Sequence, residues 1–305
     1  MATYGSFIVS EMIEFFLPAK INLFLLICGK RADNYHEIIT RMVMISCFDR
    51  LHLQMESHTA EESSSAITLQ LKGRVIDGDP GSNLIVRAAQ MVLNRYALKS
   101  IPRISIMLEK NIPVGAGLGG GSSDAAGTLF AVNRLLGSQL SLSELSEMAS
   151  ELGSDVPFFL GNSHALCWGR GEKIIPLSPM EPKIIVLWNP GFSLSTGLVY
   201  QSLHASESEE LTESAAISKI EGLLREDECV NDLESVAFNL HPILFTVKES
   251  LYEFGAKKAM LSGSGPTLFG IYSDRAQAEK ASRHLQEKFG GWSDVFETLE
   301  VSPLF

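Results

Sequence analysis

Apolar positions recur along this chain with two periods. From Phe15 to Gly29 the run is almost unbroken, interrupted only by Lys20 and Asn22, and it predicts a largely buried strand. Arg31–His36 reads as a polar turn, after which Glu37–Ser46 returns as a second strand. Leu51–Glu56 and Ile67–Leu71 predict a strand pair joined by the polar segment Ser57–Ala66. The turn-forming run Asp77–Ser82 leads into an amphipathic helix over Asn83–Tyr96, with Leu84, Ala88, Met91 and Val92 on one face. Ile104–Leu108 alternates as a strand and is followed by a glycine-dense segment. A helix then continues through Leu129, Phe130, Leu135 and Leu136 and stops near Gly137.

Ser141 and Glu144 form a capping-box pattern opening the next helix, with Leu145, Met148 and Leu152 inward and Gly153 as its C-cap. Ser154 and Asp155 fall in the turn beyond, locked by Pro157. The second half is strand-rich over His164–Trp188, with a turn at Asn189–Gly191 and an acidic, serine-rich exposed segment at His204–Ala215. Helices follow near Ser218–Leu224 and Pro242–Phe254. A strand–turn–strand spans Met260–Tyr272, then come a helix over Asp274–Phe289 and a last strand over Trp292–Val301. Helix pairs beside short antiparallel strands indicate an α+β chain. Its 305 residues are long for one core, so one large or two medium domains are expected, with a soft boundary near 160–175; two domains would divide as 1–165 and 166–305.

Composition narrows the function. Hydrophobic residues at 45% and charged residues at 20% describe an ordinary globular protein. A net charge of -11 argues against a nucleic-acid partner, and an anionic ligand must then be held by local donors. The four cysteines form no C-x-x-C pair, which points to buried thiols in a reducing compartment. No apolar run reaches the ~18 residues of a membrane span. The N-terminus lacks a basic region before its apolar stretch, so cytoplasmic residence and no membrane partner are expected. Protein partners are not legible.

Five glycines fall among Gly115, Ala116, Gly117, Leu118, Gly119, Gly120 and Gly121, followed by Ser122 and Ser123 and a helix start. Such a loop lets backbone N–H groups approach an anion at a helix N-terminus, which makes it a phosphate cradle. It is not a Walker A loop, because no lysine follows the glycines. Gly115, Gly117 and Gly120 match G-x-G-x-x-G. However, six residues separate the strand from the first glycine, and no acidic residue ends a second strand as a dinucleotide site requires. Lys20 either snorkels to a strand edge or serves a site, and Asn22 shares its face. Asp155 is either a turn residue or a carboxylate placed to accept a proton. Gly263-Ser264-Gly265 is either a plain hairpin turn or a cleft-lining loop.

Three segments, in order, resemble the GHMP kinase superfamily of galactokinase, homoserine kinase, mevalonate kinase and phosphomevalonate kinase. They are Pro18-Ala19-Lys20-Ile21-Asn22, Pro113-Val114-Gly115-Ala116-Gly117-Leu118-Gly119-Gly120-Gly121-Ser122-Ser123, and Leu261-Ser262-Gly263-Ser264-Gly265-Pro266-Thr267. Arg31–Glu37, Asn83–Ala89 and Gly153-Ser154-Asp155-Val156-Pro157 are similar to the branch that phosphorylates the 2-hydroxyl of 4-diphosphocytidyl-2-C-methyl-D-erythritol on the non-mevalonate route to isoprenoid precursors.

The resemblance implies a two-domain GHMP-kinase fold, with a ribosomal-S5-like ATP-binding domain and a ferredoxin-like C-terminal α/β sandwich. It implies ATP and Mg²⁺ as cofactors and a small-molecule cytidyl-diphosphate substrate. Lys20 and Asp155 take the catalytic positions. Asn83, Leu84, Lys110 and the loop from Pro113 to Ser123 take the ATP positions, with Ser122 or Ser123 reaching Mg²⁺. Asn22, Tyr35, His36 and Tyr200 take the substrate positions, the aromatic groups at the cytosine. Asp124, awkward beside phosphates, is expected to serve the helix N-terminus.

Overall fold

The computed structural model describes residues 12–56, 67–75, 83–96, 102–203, 206, 211–226 and 229–304. The expected turn at Asp77–Ser82, the connection Ser57–Ala66 and most of the acidic segment from His204 to Glu210 lie outside the described residues.

The apolar run forms β1 (Ile13–Lys30), which pairs antiparallel with β2 (His36–Glu56) along nearly its whole length. The two expected strands at 37–46 and 51–56 are one strand. The polar residues between them are accommodated because Asp49 is fully buried and bonded, as described below. β3 (Ile67–Gly73) pairs in parallel with β4 (Arg103–Lys110), not with β2. This departs from the expected strand pair, since α1 (Leu84–Arg95) supplies a crossover and β4 inserts between β2 and β3. β4 and β5 (His164–Gly169) share the other edge of β2, and β6 (Lys173–Pro176) extends that side. The order is β3-β4-β2-β5-β6, with β1 on β2.

Three helices cover this sheet. In α1, Asn83 caps the N-terminus and accepts a bond from the Ile85 N–H, while Ile85, Ala88, Ala89, Val92 and Leu93 are buried. α2 (Gly120–Leu135) follows the glycine loop directly. α3 (Leu142–Leu152) has the reciprocal Ser141–Glu144 capping box that its sequence predicts. Their small and branched residues meet Leu17, Met42, Met44, Leu51 and Leu53 of the sheet in one core. A short 3₁₀ turn at Pro157–Leu160 closes the segment after Asp155.

The second sheet is β7 (Ile184–Asn189), β8 (Lys258–Leu261), β9 (Leu268–Tyr272) and β10 (Trp292–Glu297), in the order β10-β7-β9-β8 and antiparallel throughout. Numbered within the domain this is 4-1-3-2, the ferredoxin-like order. α4 (Thr196–Gln201), α5 (Glu213–Glu226), α6 (Glu234–Leu240), α7 (Ile243–Glu253) and α8 (Arg275–Phe289) complete it. Helices α7 and α8 bury Leu244, Val247, Leu251, Ala278, Ala281 and Leu285 against Val186 and Trp188. α4 and α6 carry too little periodicity to be read from sequence.

The two halves are joined by apolar contact. Ala19, Ile21, Val43 and Ile45 of the first sheet pack with Ile112, Leu118, Ile185, Leu187, Met260 and Phe269. The first sheet continues past the expected division at 165, through β6 to Pro176. The tail after β10 also returns to it, with the Leu299 N–H donating to the Met44 carbonyl and Leu304 buried in the first core. The first sheet's last strand ends at Pro176 and the second sheet's first strand begins at Ile184.

Candidate active site

The site lies where the two sheets meet. Lys20 and Asn22 point from the same face of β1, two residues apart, and both are buried. The Lys20 ammonium donates to Asn22 Oδ1 at 2.7 Å and stands 3.3 Å from Asp155 Oδ2. The Asn22 amide donates to Thr40 Oγ1 at 2.7 Å, and the Thr40 hydroxyl donates to the Phe24 carbonyl at 2.7 Å. This chain of bonds fixes the amide orientation, so that Oδ1 faces the lysine. Asp155 keeps about a third of its side chain exposed and is held in the turn between α3 and the 3₁₀ segment. A buried ammonium, oriented on one side and paired with a partly exposed carboxylate on the other, leaves that carboxylate open to the cleft, where it can act as a proton acceptor.

The glycine loop passes over this pair. The Lys20 N–H donates to the Leu118 carbonyl at 2.9 Å. Gly117 has φ 74° and Gly119, which caps α2, has φ 68°, both in the left-handed region. A Cβ on Gly117 would lie 2.1 Å from the Ser262 carbonyl oxygen, and one on Gly119 would lie 2.9 Å from Lys20 Cγ. The loop is therefore pressed between β1 and the β8–β9 turn, and the Ser262 hydroxyl donates to the Gly117 carbonyl at 2.9 Å. Gly263 sits 3.5 Å from the Lys20 ammonium, measured from where its Cβ would stand. The Gly263-Ser264-Gly265 turn is thus a wall of the site.

A cleft of about 580 Å³ runs from Lys20, Asn22 and Asp155 to Tyr35, His36 and Tyr200. His36 and Tyr200, on different halves of the chain, have ring centroids 5.1 Å apart. Burial, and then the Lys30 charge, hold the His36 imidazole below its usual range. Burial, and then Asp155, push the Tyr200 phenol up. Near neutral pH His36 is thus uncharged, with one ring nitrogen to donate and one to accept, and Tyr200 keeps its hydroxyl proton.

The chain matches the GHMP kinases N terminal domain over residues 83–162 and the GHMP kinases C terminal domain over 211–291. It is 37% identical to 4-diphosphocytidyl-2-C-methyl-D-erythritol kinase of Syntrophotalea carbinolica, covering 92% of this chain and 96% of that protein. It is 40% identical to the enzyme of the same name from Pelobacter propionicus, covering 92% and 97%. A crystal structure of 4-(cytidine 5'-diphospho)-2C-methyl-D-erythritol kinase superposes with a TM-score of 0.75 at 33% identity, covering 94% of this chain and 99% of that one. The chain belongs to the 4-diphosphocytidyl-2-C-methyl-D-erythritol kinase family of GHMP kinases.

As a GHMP kinase the chain uses ATP as phosphoryl donor, and the expected donor-site residues fall into two groups. Val114, Gly115 and Gly121 present an open edge, with Leu84 beside Gly121, where a Cβ would stand 3.9 Å from the leucine. Pro113, Ala116, Leu118 and Gly120 turn inward. Asn83 spends its side-chain oxygen on the α1 cap.

Lys110 is buried within a group of ion pairs. Its ammonium donates to Asp49 Oδ2 and Asp124 Oδ2, each at 2.5 Å. Asp124 is buried rather than offered to the helix end. Asp49 Oδ1 accepts from the N–H groups of Asn111 and Ile112, just ahead of the loop, while Asp124 lies in the first turns of α2 just after it. Lys110 and its two carboxyl partners clamp both ends of the glycine loop. Burial of Lys110 is outweighed by its two carboxylates, which raise its proton affinity, whereas burial pushes the Asp124 carboxyl up to about 7. Asp49, 61 residues from Lys110 in sequence, was not legible as part of this group.

The Ser123 hydroxyl is buried and makes no hydrogen bond within the protein. Ser122, half-buried in the same turn, is the hydroxyl that stays open. Thr40, Lys30 and Arg170 are further cleft residues that no local motif announced.

Proposed function

We infer that this chain transfers the γ-phosphoryl group of ATP to the 2-hydroxyl of 4-diphosphocytidyl-2-C-methyl-D-erythritol, a step of the non-mevalonate route to isoprenoid precursors. Family membership supports the activity. The observation that carries the reading is the placement of the Lys20–Asp155 pair, 3.3 Å apart, in the same cleft as three aromatic rings. One part of the cleft holds proton-transfer groups, and another holds groups that read a flat heterocycle.

In this reading Tyr35, His36 and Tyr200 bind the cytosine. The ring faces stack on it, and the uncharged imidazole exchanges hydrogen bonds with its polar edge. The polyol is thereby delivered to Asp155, which accepts the proton of the attacking 2-hydroxyl. The oxygen bonds to the γ-phosphorus as the bond to the ADP oxygen breaks. Lys20, held by Asn22 and through it by Thr40, pairs with Asp155 and offsets negative charge gathering on the transferred group. The loop's N–H groups hold the donor phosphates.

Among the described residues no three His, Cys, Asp or Glu side chains form a metal site. A Mg²⁺ carried on nucleotide phosphates takes most of its ligands from phosphate and water, and the open Ser122 hydroxyl suits the remaining contact. Bound there, it neutralises phosphate charge. The chain is acidic, and no helix among the described residues is long and apolar enough to cross a membrane.

Homoserine kinase from Cytophaga hutchinsonii shares the fold, with a TM-score of 0.70 at 18% identity. Its substrate has no base to stack, so the ring set separates the two readings. The test is ADP release by the purified protein with 4-diphosphocytidyl-2-C-methyl-D-erythritol, free methylerythritol phosphate, homoserine and mevalonate as acceptors. Turnover should be confined to the first. Comparable rates on an acceptor without cytidine would overturn the assignment.

A further inference from the structure

Tyr35 and His36 are neighbours in sequence but are held in different ways. His36 opens β2 and pairs with Lys30 across the β1–β2 ladder, so the sheet fixes it. Tyr35 lies one residue outside that ladder, in the turn between the strands, and its ring is exposed. Core packing therefore gives the ring no fixed place. The turn is bonded from end to end instead. The Arg31 N–H donates to the Tyr35 carbonyl at 2.8 Å, and the Asn34 N–H donates to the Arg31 carbonyl at 3.1 Å. The Tyr35 N–H donates to Asp33 Oδ1 at 3.1 Å. Asn34 closes the turn with a φ of 68°, a left-handed conformation that its short polar side chain tolerates.

The Arg31 guanidinium ties this turn to the strand behind it. Its Nη1 donates to Glu37 Oε2 at 2.8 Å, while its Nε donates to Asp33 Oδ2 at 3.2 Å and to Oδ1 at 3.3 Å. One planar fork thus holds two carboxylates, one on the turn and one on β2. Strand alternation turns His36, Ile38 and Thr40 into the cleft and leaves Glu37 fully buried on the opposite face. A carboxylate at that depth needs a charged partner, which commits the guanidinium to its place. The Arg31 bond, and after it the Tyr35 N–H, hold the Asp33 carboxyl below its usual range, so Asp33 stays ionised near neutral pH. Arg31, Asp33 and Glu37 are not among the residues that line the cleft.

We propose that Arg31, Asp33 and Glu37 are positioning residues, a brace behind the β1–β2 turn that sets the Tyr35 ring in its base-binding place before the acceptor arrives. The proposal rests on the acceptor reading above. The three residues act through Tyr35 and not by contact with the acceptor. A ring already in place spares the acceptor the entropy of ordering the turn, so the brace raises acceptor affinity and leaves donor binding alone.

The test is steady-state kinetics with ATP and the cytidyl acceptor varied separately, alongside thermal melting. The proteins are wild type, Asp33→Ala, Asp33→Asn, Arg31→Lys, Tyr35→Ala and the Tyr35→Ala/Asp33→Ala double variant. Asp33 is exposed, so its variants should melt with the wild type. Asp33→Ala should raise the acceptor KM by about three- to tenfold, with kcat and the KM for ATP unchanged. Asp33→Asn keeps an oxygen for the Tyr35 N–H and should recover most of that loss. Arg31→Lys keeps a charge beside Glu37 but loses the fork, and should move the acceptor KM in the same direction as Asp33→Ala. In the Tyr35→Ala background, Asp33→Ala should add less than about twofold, because the ring it serves is gone. A wild-type acceptor KM in both Asp33→Ala and Arg31→Lys, in an enzyme confined to the cytidyl acceptor, overturns the brace and leaves the acceptor reading standing. An undiminished effect of Asp33→Ala in the Tyr35→Ala background also overturns it, as does a parallel rise in the KM for ATP. Wild type that turns over an acceptor without cytidine at a comparable rate overturns the acceptor reading, and the brace with it.

Discussion

The packing of the glycine loop against the β8–β9 turn makes a quantitative prediction for Gly117→Ala. The backbone there has φ 74°, which costs a non-glycine residue about 1–2 kcal/mol. The new Cβ would stand 2.1 Å from the Ser262 carbonyl oxygen, a backbone atom that cannot swing away. The two segments must part by roughly 1 Å, a misfit of the overpacking kind that costs about 1–3 kcal/mol. Parting also strains the Ser262 hydroxyl bond to the Gly117 carbonyl, worth about 0.5–1.5 kcal/mol. The total is about 2.5–6.5 kcal/mol.

Gly137→Ala is the control. Its φ is 93°, so it carries the same kind of strain, but a Cβ there has nothing within 4 Å. It should cost only about 1–2 kcal/mol. Urea denaturation measures both. Because Gly117 also bridges the two halves above Lys20, its variant should lose kcat and bind ATP more weakly, whereas Gly137→Ala should keep wild-type kinetics. A Gly117→Ala protein as stable as Gly137→Ala and kinetically normal would refute the described contact between the loop and the second domain.

Three further outcomes are expected. Asp155→Asn should leave folding intact and lower kcat by roughly 10²–10⁴, because the amide cannot accept the hydroxyl proton; near-normal turnover would remove Asp155 from that role. His36→Ala should cost about 1–3 kcal/mol in kcat/KM for the cytidyl acceptor, with an unaltered KM for ATP; steady-state kinetics varying each substrate separates the two. Burial pushes the Asp124 carboxyl up to about 7 against an ordinary 3.8, so between those values the folded chain holds a proton that the unfolded chain releases. Stability from this group is therefore greatest below about pH 4 and declines as pH rises toward 7. Asp124→Asn should flatten that part of the stability–pH curve, and a superimposable curve would contradict the buried clamp.

Those residues also mark where sequence reasoning succeeded and where it stopped. β1, α1, α2 and α3 were legible because each advertises itself locally, through an apolar run, a cap, or a 3.6-residue period. The Asp155 turn was legible for the same reason, bounded by the end of α3 and by Pro157. Lys20 and Asn22 share a face because a strand alternates, so their meeting needed no tertiary knowledge.

The failures have one cause: the partner is remote in the chain. β3 finds β4, not β2, across the α1 crossover. The stretch at Phe48–Arg50 looks like a break between strands, until Lys110 arrives to satisfy Asp49. The burial of Lys110 could not be read from sequence either, since a buried lysine is costly unless carboxylates come with it. Its two carboxylates come from β2 and α2, on either side of the loop in space but not in sequence. The distinction matters for the chemistry. A cation facing the nucleotide would add binding energy directly. A cation locked beneath the loop instead fixes where the N–H groups point. Removing it would leave two buried carboxylates without a counter-charge, which costs more than any one phosphate contact could return.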